Sequence, residues 1–142
     1  MEYTTNQKGL ISEMEVMLAF IKLGYNVSQP LNADSRYDCI LDKDGKLYKI
    51  QIKTSHLSAT TNNSIEFKCR SVTTTQNHYK ETRYSENEID YFATSWQNKI
   101  YLVPANECSA KKTLHLIAKP SNPNRTWSYA EDYELSEVIK SL

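Results

Sequence analysis

Apolar residues along this chain follow two periods. Leu10, Met14, Met17, Leu18 and Ile21 recur at helical spacing, which predicts a helix over 10–23 with these side chains as its buried stripe and Gly24 as its stop. Tyr25 to Gln29 reads as a short strand ended by Pro30, and 32–36 as polar loop. Two apolar stretches follow, Tyr37 to Leu41 and Leu47 to Lys53, joined by Asp42-Lys43-Asp44-Gly45-Lys46. Asp44-Gly45 is a favoured two-residue hairpin turn, and it places position 38 directly across from position 51 with both side chains on one face. Lys53, two residues beyond Gln51, points the same way.

Beyond the hairpin, 54–64 is rich in Ser, Thr and Asn. Ile65 to Arg70 then alternates as a half-solvated strand does, with Lys68 and Arg70 on the side of Glu66. Residues 71–87 form a polar, turn-rich stretch too long for an ordinary connection, and it carries His78, Tyr79, Lys80, Arg83 and Tyr84. Loops of that length usually serve a function. Ile89 to Ser95 and Lys99 to Pro104 read as strands around a turn at Gln97-Asn98, and Leu114 to Lys119 as a further strand. Tyr133 to Leu142 reads as a short helix with Leu135, Val138, Ile139 and Leu142 on one face. A helix feeding a mixed sheet, closed by a second helix, is an α/β or α+β sandwich.

Composition narrows the partners more than the fold. At 142 residues and 39% hydrophobic, with no Pro/Gly/Ser-rich linker, one domain spanning 1–142 is expected. Seventeen basic residues balance seventeen acidic ones, for a formal net charge of +0, which excludes a histone-like or basic-tail protein. Nucleic-acid binding would need a local basic face. Glu13 and Glu15 interrupt the apolar run that begins at Leu10, so no signal peptide or membrane span is expected. Cys39, Cys69 and Cys108 are odd in number and lack zinc-type spacing, which fits small buried hydrophobes in a reducing cytoplasm. Most of the ten tyrosines, and Trp96 and Trp127, are expected to line the core or an interface.

Asp38, Gln51 and Lys53 bring a carboxylate, an amide oxygen and an ammonium to one end of a hairpin, a set suited to a divalent metal and a phosphodiester. Glu13 is the best second acid, because on the helical wheel it neighbours Leu10, Met17 and Phe20 and borders the core, whereas Glu15 falls nearer Lys22 and solvent. The amide of Gln51 and the backbone carbonyl of Ile52 can complete the oxygen donors. A neutral amide gives the ion less charge than an acid would, so a weak, water-rich magnesium site filled together with DNA phosphates is expected. Lys53 can orient or help deprotonate the attacking water, or stabilise charge on the phosphorane. Taken singly, a Gln-x-Lys on a polar strand face is ordinarily solvated surface, and Asp38 alone is ordinarily a turn-flanking residue.

Lys8-Gly9 with Glu13, Ser35-Arg36-Tyr37-Asp38, Ile50-Gln51-Ile52-Lys53-Thr54, Ile89-Asp90-Tyr91-Phe92-Ala93, Tyr101-Leu102-Val103-Pro104, and Trp127 through Asp132-Tyr133-Glu134 run in order along the chain. This set resembles the PD-(D/E)XK nuclease superfamily, in particular its group I intron-associated homing endonuclease branch, where Gln replaces the usual second acid. The resemblance implies a restriction-endonuclease-like core: a mixed β-sheet with an N-terminal helix and flanking helices. It implies Glu13, Asp38, Gln51 and Lys53 as the catalytic set. It implies magnesium as cofactor, with manganese able to substitute, and cleavage of double-stranded DNA at a long target by an oligomer. The sequence departs from the pattern at Tyr37, where a Pro commonly precedes the Asp, and at Gln51.

One active site per chain cannot cut both strands at once, which independently favours a homodimer or homotetramer. Candidate DNA contacts are Arg36 beside the site, Lys68 and Arg70 on their strand, and His78, Lys80 and Arg83 in the long loop. Arg36 can equally pair with Asp34 or Asp38, and Asp90 is expected to be a structural acceptor of an N–H. The alternatives to homing are a Holliday junction resolvase or restriction-type nuclease of the same fold, and a DNA-binding module that has lost its chemistry.

Overall fold

The computed structural model describes residues 1–61, 63–75, 78–84 and 88–142, with 71–75 and 78–83 described by their backbone alone. Helix α1 spans Thr5–Lys22 and so begins a turn earlier than the apolar spacing predicts. Polar residues set that start: Thr4 accepts the Gln7 N–H at 3.2 Å while the Gln7 side chain accepts the Thr4 N–H at 2.9 Å. Gly24, at φ +89°, ends the helix in a conformation that costs glycine little.

The strands are β1 (Asn26–Ser28), β2 (Cys39–Lys43), β3 (Lys46–Ile52), β4 (His56–Leu57), β5 (Ser64–Lys68), β6 (Arg70–Thr75), β7 (His78–Arg83), β8 (Tyr91–Trp96), β9 (Lys99–Pro104) and β10 (Lys111–His115). Helix α2 (Leu135–Val138) follows, flanked by 3₁₀ turns at Ala130–Tyr133 and Ile139–Ser141. Five strands form a mixed sheet in the order β1-β2-β3-β8-β9, in which only the β3–β8 pairing is parallel. A three-stranded sheet, β10-β5-β4, forms a second layer, and β6 and β7 pair with each other as a separate ribbon. This is the α+β, restriction-endonuclease-like architecture expected from the sequence.

Both short hairpin turns form as anticipated. Asp44 (φ 55°) and Gly45 (φ 90°) are both left-handed, as are Gln97 (φ 46°) and Asn98 (φ 69°), the geometry that matches the twist of flanking strands. The register runs from Lys43↔Lys46 to Cys39↔Ile50 and stops one step short of positions 38 and 51, where the Asp38 N–H goes to Ile50 O instead. Alternation then divides the core between the two faces of the five-stranded sheet. Cys39, Leu41, Ile50, Ile52, Ala93 and Leu102 pack with Val16 and Phe20 of α1 and with Leu135. Val138, Ile139 and Leu142 join that cluster, as the terminal apolar face predicts. Phe92, Tyr101 and Val103 turn to the opposite face and meet Ile65, Phe67, Cys69, Ile89 and Leu114. Each fully buried apolar side chain of this kind contributes about 1.5–3 kcal/mol.

Three expectations are corrected. The buried face of α1 is Ser12, Val16 and Phe20; Leu10, Met14, Leu18 and Ile21 are 56%, 59%, 50% and 56% exposed. The helix carries two apolar stripes, and periodicity cannot choose between them; the sheet accepts the one bearing small Ser12, whose hydroxyl bonds Lys8 O and Thr54 Oγ1. The stretch read as a long loop is instead the β6–β7 ribbon, registered from Arg70↔Arg83 to Thr75↔His78. The last strand lies at Lys111–His115 rather than 114–119, because Lys111 and Lys112 pair with Lys68 and Phe67 of β5. Among the described residues no helix is long and apolar enough to cross a membrane.

Candidate active site

The site lies where β3 runs past the start of β2. Asp38, just before β2, donates its N–H at 2.8 Å to the carbonyl of Ile50, the residue that pairs with Cys39. Its Oδ2 accepts the Ile52 N–H at 2.7 Å, taking the bond that a longer β2 would have made. The carboxylate is therefore aimed by backbone on both sides. In an antiparallel strand the N–H and C=O of one residue leave on the same edge, so the Ile52 carbonyl also faces this gap.

Glu13 approaches from α1, half-buried, and its carboxyl faces that of Asp38. The Ser12–Thr54 contact at 3.2 Å pins this turn of the helix to the residue after Lys53, which explains why Glu13 and not Glu15 reaches the site. Glu15 is exposed and accepts the Ser95 hydroxyl. Burial pushes the Glu13 carboxyl above its usual range and the facing Asp38 pushes it further. Asp38 is raised as well: burial outweighs the Ile52 N–H, the Lys53 ammonium and the Glu13 hydrogen bond. Two carboxyls in contact inside a half-buried pocket favour a shared proton or a cation between them.

Gln51 is half-buried and in parallel register with Phe92 of β8. Lys53 is fixed through its backbone N–H to Ala93 O at 2.9 Å, and its ammonium donates to Tyr84 Oη at 3.2 Å. Asp38, Glu13, Lys53 and the Ile52 backbone thus gather at one end of the hairpin, with Gln51 on the same sheet face. Among the described residues no three His, Cys, Asp or Glu side chains cluster in a metal-holding group. A cation here would draw on two acids supplemented by amide and carbonyl oxygens, all hard donors, and the raised carboxyls are the ones such an ion would relieve. The donor set fits a divalent metal. Cys39, directly behind Asp38, has its thiol pushed up to about 12 by burial and by the two acids, so it is inert packing.

The proposed DNA contacts fare unevenly. Arg36 donates to Glu88 at 2.7 Å and lies 4.0 Å over the Tyr84 ring, a pairing that sequence spacing did not suggest. Lys68 is exposed at the end of β5, and Arg70 is half-buried where the ribbon begins. His78, Lys80 and Arg83 belong to β7 by their backbone, and their side chains lie outside the described residues. Asp90 does act as a structural acceptor, taking the Lys49 N–H at 2.8 Å. Trp127 stacks on His115 at 4.0 Å, and Trp96 packs against the second core cluster. The residue that sequence reasoning passed over is Tyr84, whose only signal was an aromatic side chain at the end of a polar stretch.

Known proteins share this fold. A bacterial homing endonuclease, I-Ssp6803I, has a similar structure: TM-score 0.79 and 22% identity, covering 97% of this chain and 93% of that one. Protein 5.3 of Escherichia phage T7 is 45% identical over 47 residues, which are 33% of this chain and 40% of that protein. The chain thus matches well under half the length of this relative. The model of the PD-(D/E)XK endonuclease family matches residues 3–136, and the chain accordingly belongs to that family.

Proposed function

We propose that this chain is a magnesium-dependent endonuclease that hydrolyses phosphodiester bonds of double-stranded DNA, in the manner of a site-specific homing enzyme. The observation that carries the proposal is the meeting of Glu13 with Asp38 at the open end of β2 and β3, beside the ammonium of Lys53. When bound, the ion would polarise the scissile phosphate and lower the pKa of the attacking water. Asp38, aimed by Ile52 N–H, and Glu13 would hold it, with Gln51 and the Ile52 carbonyl as neutral oxygen donors. Manganese meets the same donor set. Lys53 neutralises charge building on the phosphate, or orients the water, from a stem braced by Tyr84.

The same reading assigns Arg36, Lys68, Arg70, His78, Lys80 and Arg83 to the DNA-facing side, a homodimer or homotetramer to the cutting of both strands, and the cytoplasm as the place of action. Asp38→Ala and Lys53→Ala should each lower metal-dependent cleavage by about 10²–10³-fold while leaving DNA affinity and melting temperature near the wild-type values. Full cleavage by either variant refutes the assignment. Digesting linear duplex and a four-way junction side by side separates homing-type cutting from junction resolution.

A further inference from the structure

Tyr84 occupies a position that the catalytic reading leaves unused. It directly follows β7, is half-buried, and its ring is held from two directions. Phe92 meets it edge-on at 5.6 Å and 86°, the Arg36 guanidinium covers it at 4.0 Å, and Glu88 fixes that guanidinium at 2.7 Å. The phenol oxygen of this clamped ring accepts the Lys53 ammonium at 3.2 Å, and the ammonium stands 5.1 Å from the ring centroid. Phe92 is also the register partner of Gln51, so one aromatic pair backs both halves of the Gln-x-Lys motif.

A lysine ammonium rides on four rotatable bonds, and ordering it costs on the order of 2 kcal/mol of side-chain entropy. One hydrogen bond to a rigid acceptor holds the Nζ while leaving two N–H groups for a phosphate oxygen or a water. The neutral phenol does this without drawing the ammonium into an ion pair that would compete with the substrate. The cation–π stack on Arg36 in turn keeps the ring from following the lysine.

We propose that Tyr84 is the positioning residue for Lys53, linking the end of the β6–β7 ribbon to the reacting centre. The proposal rests on the assignment of Lys53 to catalysis, and the experiment separates the two. A supercoiled plasmid library with randomised inserts is incubated with magnesium, and the linearised plasmids supply a cleaved target. On that target Tyr84→Phe, which keeps the ring and its contacts with Arg36 and Phe92, should lower the single-turnover rate at saturating enzyme by about tenfold. Affinity for the same duplex, measured without metal, should stay within about twofold of wild type.

A second readout needs no cleavage: brief acetylation with acetic anhydride, mapped by peptide mass spectrometry, should modify Lys53 severalfold faster in Tyr84→Phe than in wild type, with Lys43 and Lys140 unchanged. Wild-type rate and wild-type Lys53 labelling in Tyr84→Phe overturn the proposal, as does a loss confined to affinity. Undiminished cleavage by Lys53→Ala overturns the catalytic reading itself, whatever the labelling shows. Lost cleavage in Lys53→Ala with an unaltered Tyr84→Phe overturns the positioning role alone.

Discussion

Two hairpins of this molecule differ in what holds them. The β2–β3 hairpin sits inside a five-stranded sheet, and one face of it, Cys39, Leu41, Ile50 and Ile52, is buried against α1. Its other face is thereby committed to Asp38, Gln51 and Lys53. The β6–β7 ribbon pairs with no third strand among the described residues, and its strands, Arg-Ser-Val-Thr-Thr-Thr and His-Tyr-Lys-Glu-Thr-Arg, carry almost no apolar alternation. An isolated two-stranded ribbon is marginal by itself. The difference teaches that the proposed catalytic groups stand where burial fixes the register, because a one-residue slip there would move every apolar side chain to the wrong face. The ribbon, proposed to face DNA, has no such constraint.

The strongest way to break this comparison is to weaken the buried face. Ile50→Ala should cost about 2–5 kcal/mol in denaturant unfolding, since Ile50 is fully buried at the centre of β3. It should also lower cleavage through misplacement of its neighbours Gln51 and Lys53. A cost below about 1 kcal/mol would mean that the hairpin does not depend on its buried face.

Replacing 71–82 by a short Gly/Ser link should change stability by less than about 1 kcal/mol, yet weaken binding to the cleaved target by about tenfold or more in electrophoretic titration. Unaltered affinity would remove the ribbon from the DNA-facing side. Tyr84 remains in that variant, so its effect on rate can be read separately from that on binding.

The smallest effect sharpens the electrostatic side. Glu13 has its carboxyl raised by burial and by Asp38, so the folded chain holds that proton more tightly than the unfolded one. Stability from this group is present at low pH and is lost as pH rises through the raised value. Glu13→Gln should therefore melt modestly higher than wild type near neutral pH, with the gap closing as pH falls below the ordinary carboxylate range. Adding magnesium should favour wild type over the variant, because the ion takes the place of the proton. A gap that widens on acidification would contradict the sign of the shift.

Much of the site was legible in the residues because short-range rules govern it. Asp44-Gly45 dictates a left-handed two-residue turn, the turn dictates the register from Lys43↔Lys46 to Cys39↔Ile50, and strand alternation puts positions 51 and 53 on one face. The choice of Glu13 over Glu15 also followed from the helical wheel, since Met17 and Phe20 beside it do pack in the core, although Leu10 does not. Leu10, Met14, Leu18 and Ile21 repeat as regularly as Val16 and Phe20 do, and local period carries no information about which stripe the sheet will cover.

Local pattern by itself determined the helix, both tight turns, the strands β2, β3, β8 and β9, and the placing of Gln51 and Lys53 on one strand face, since each depends on neighbours within a few residues. Tertiary structure alone decided the face of α1 that packs, the pairing of β6 with β7, the link between Arg36 and Glu88, and the place of Tyr84 against Lys53. Those contacts join residues separated by up to tens of positions, and their energies arise only when the sheet brings the partners together. No rule of spacing along the chain can anticipate them.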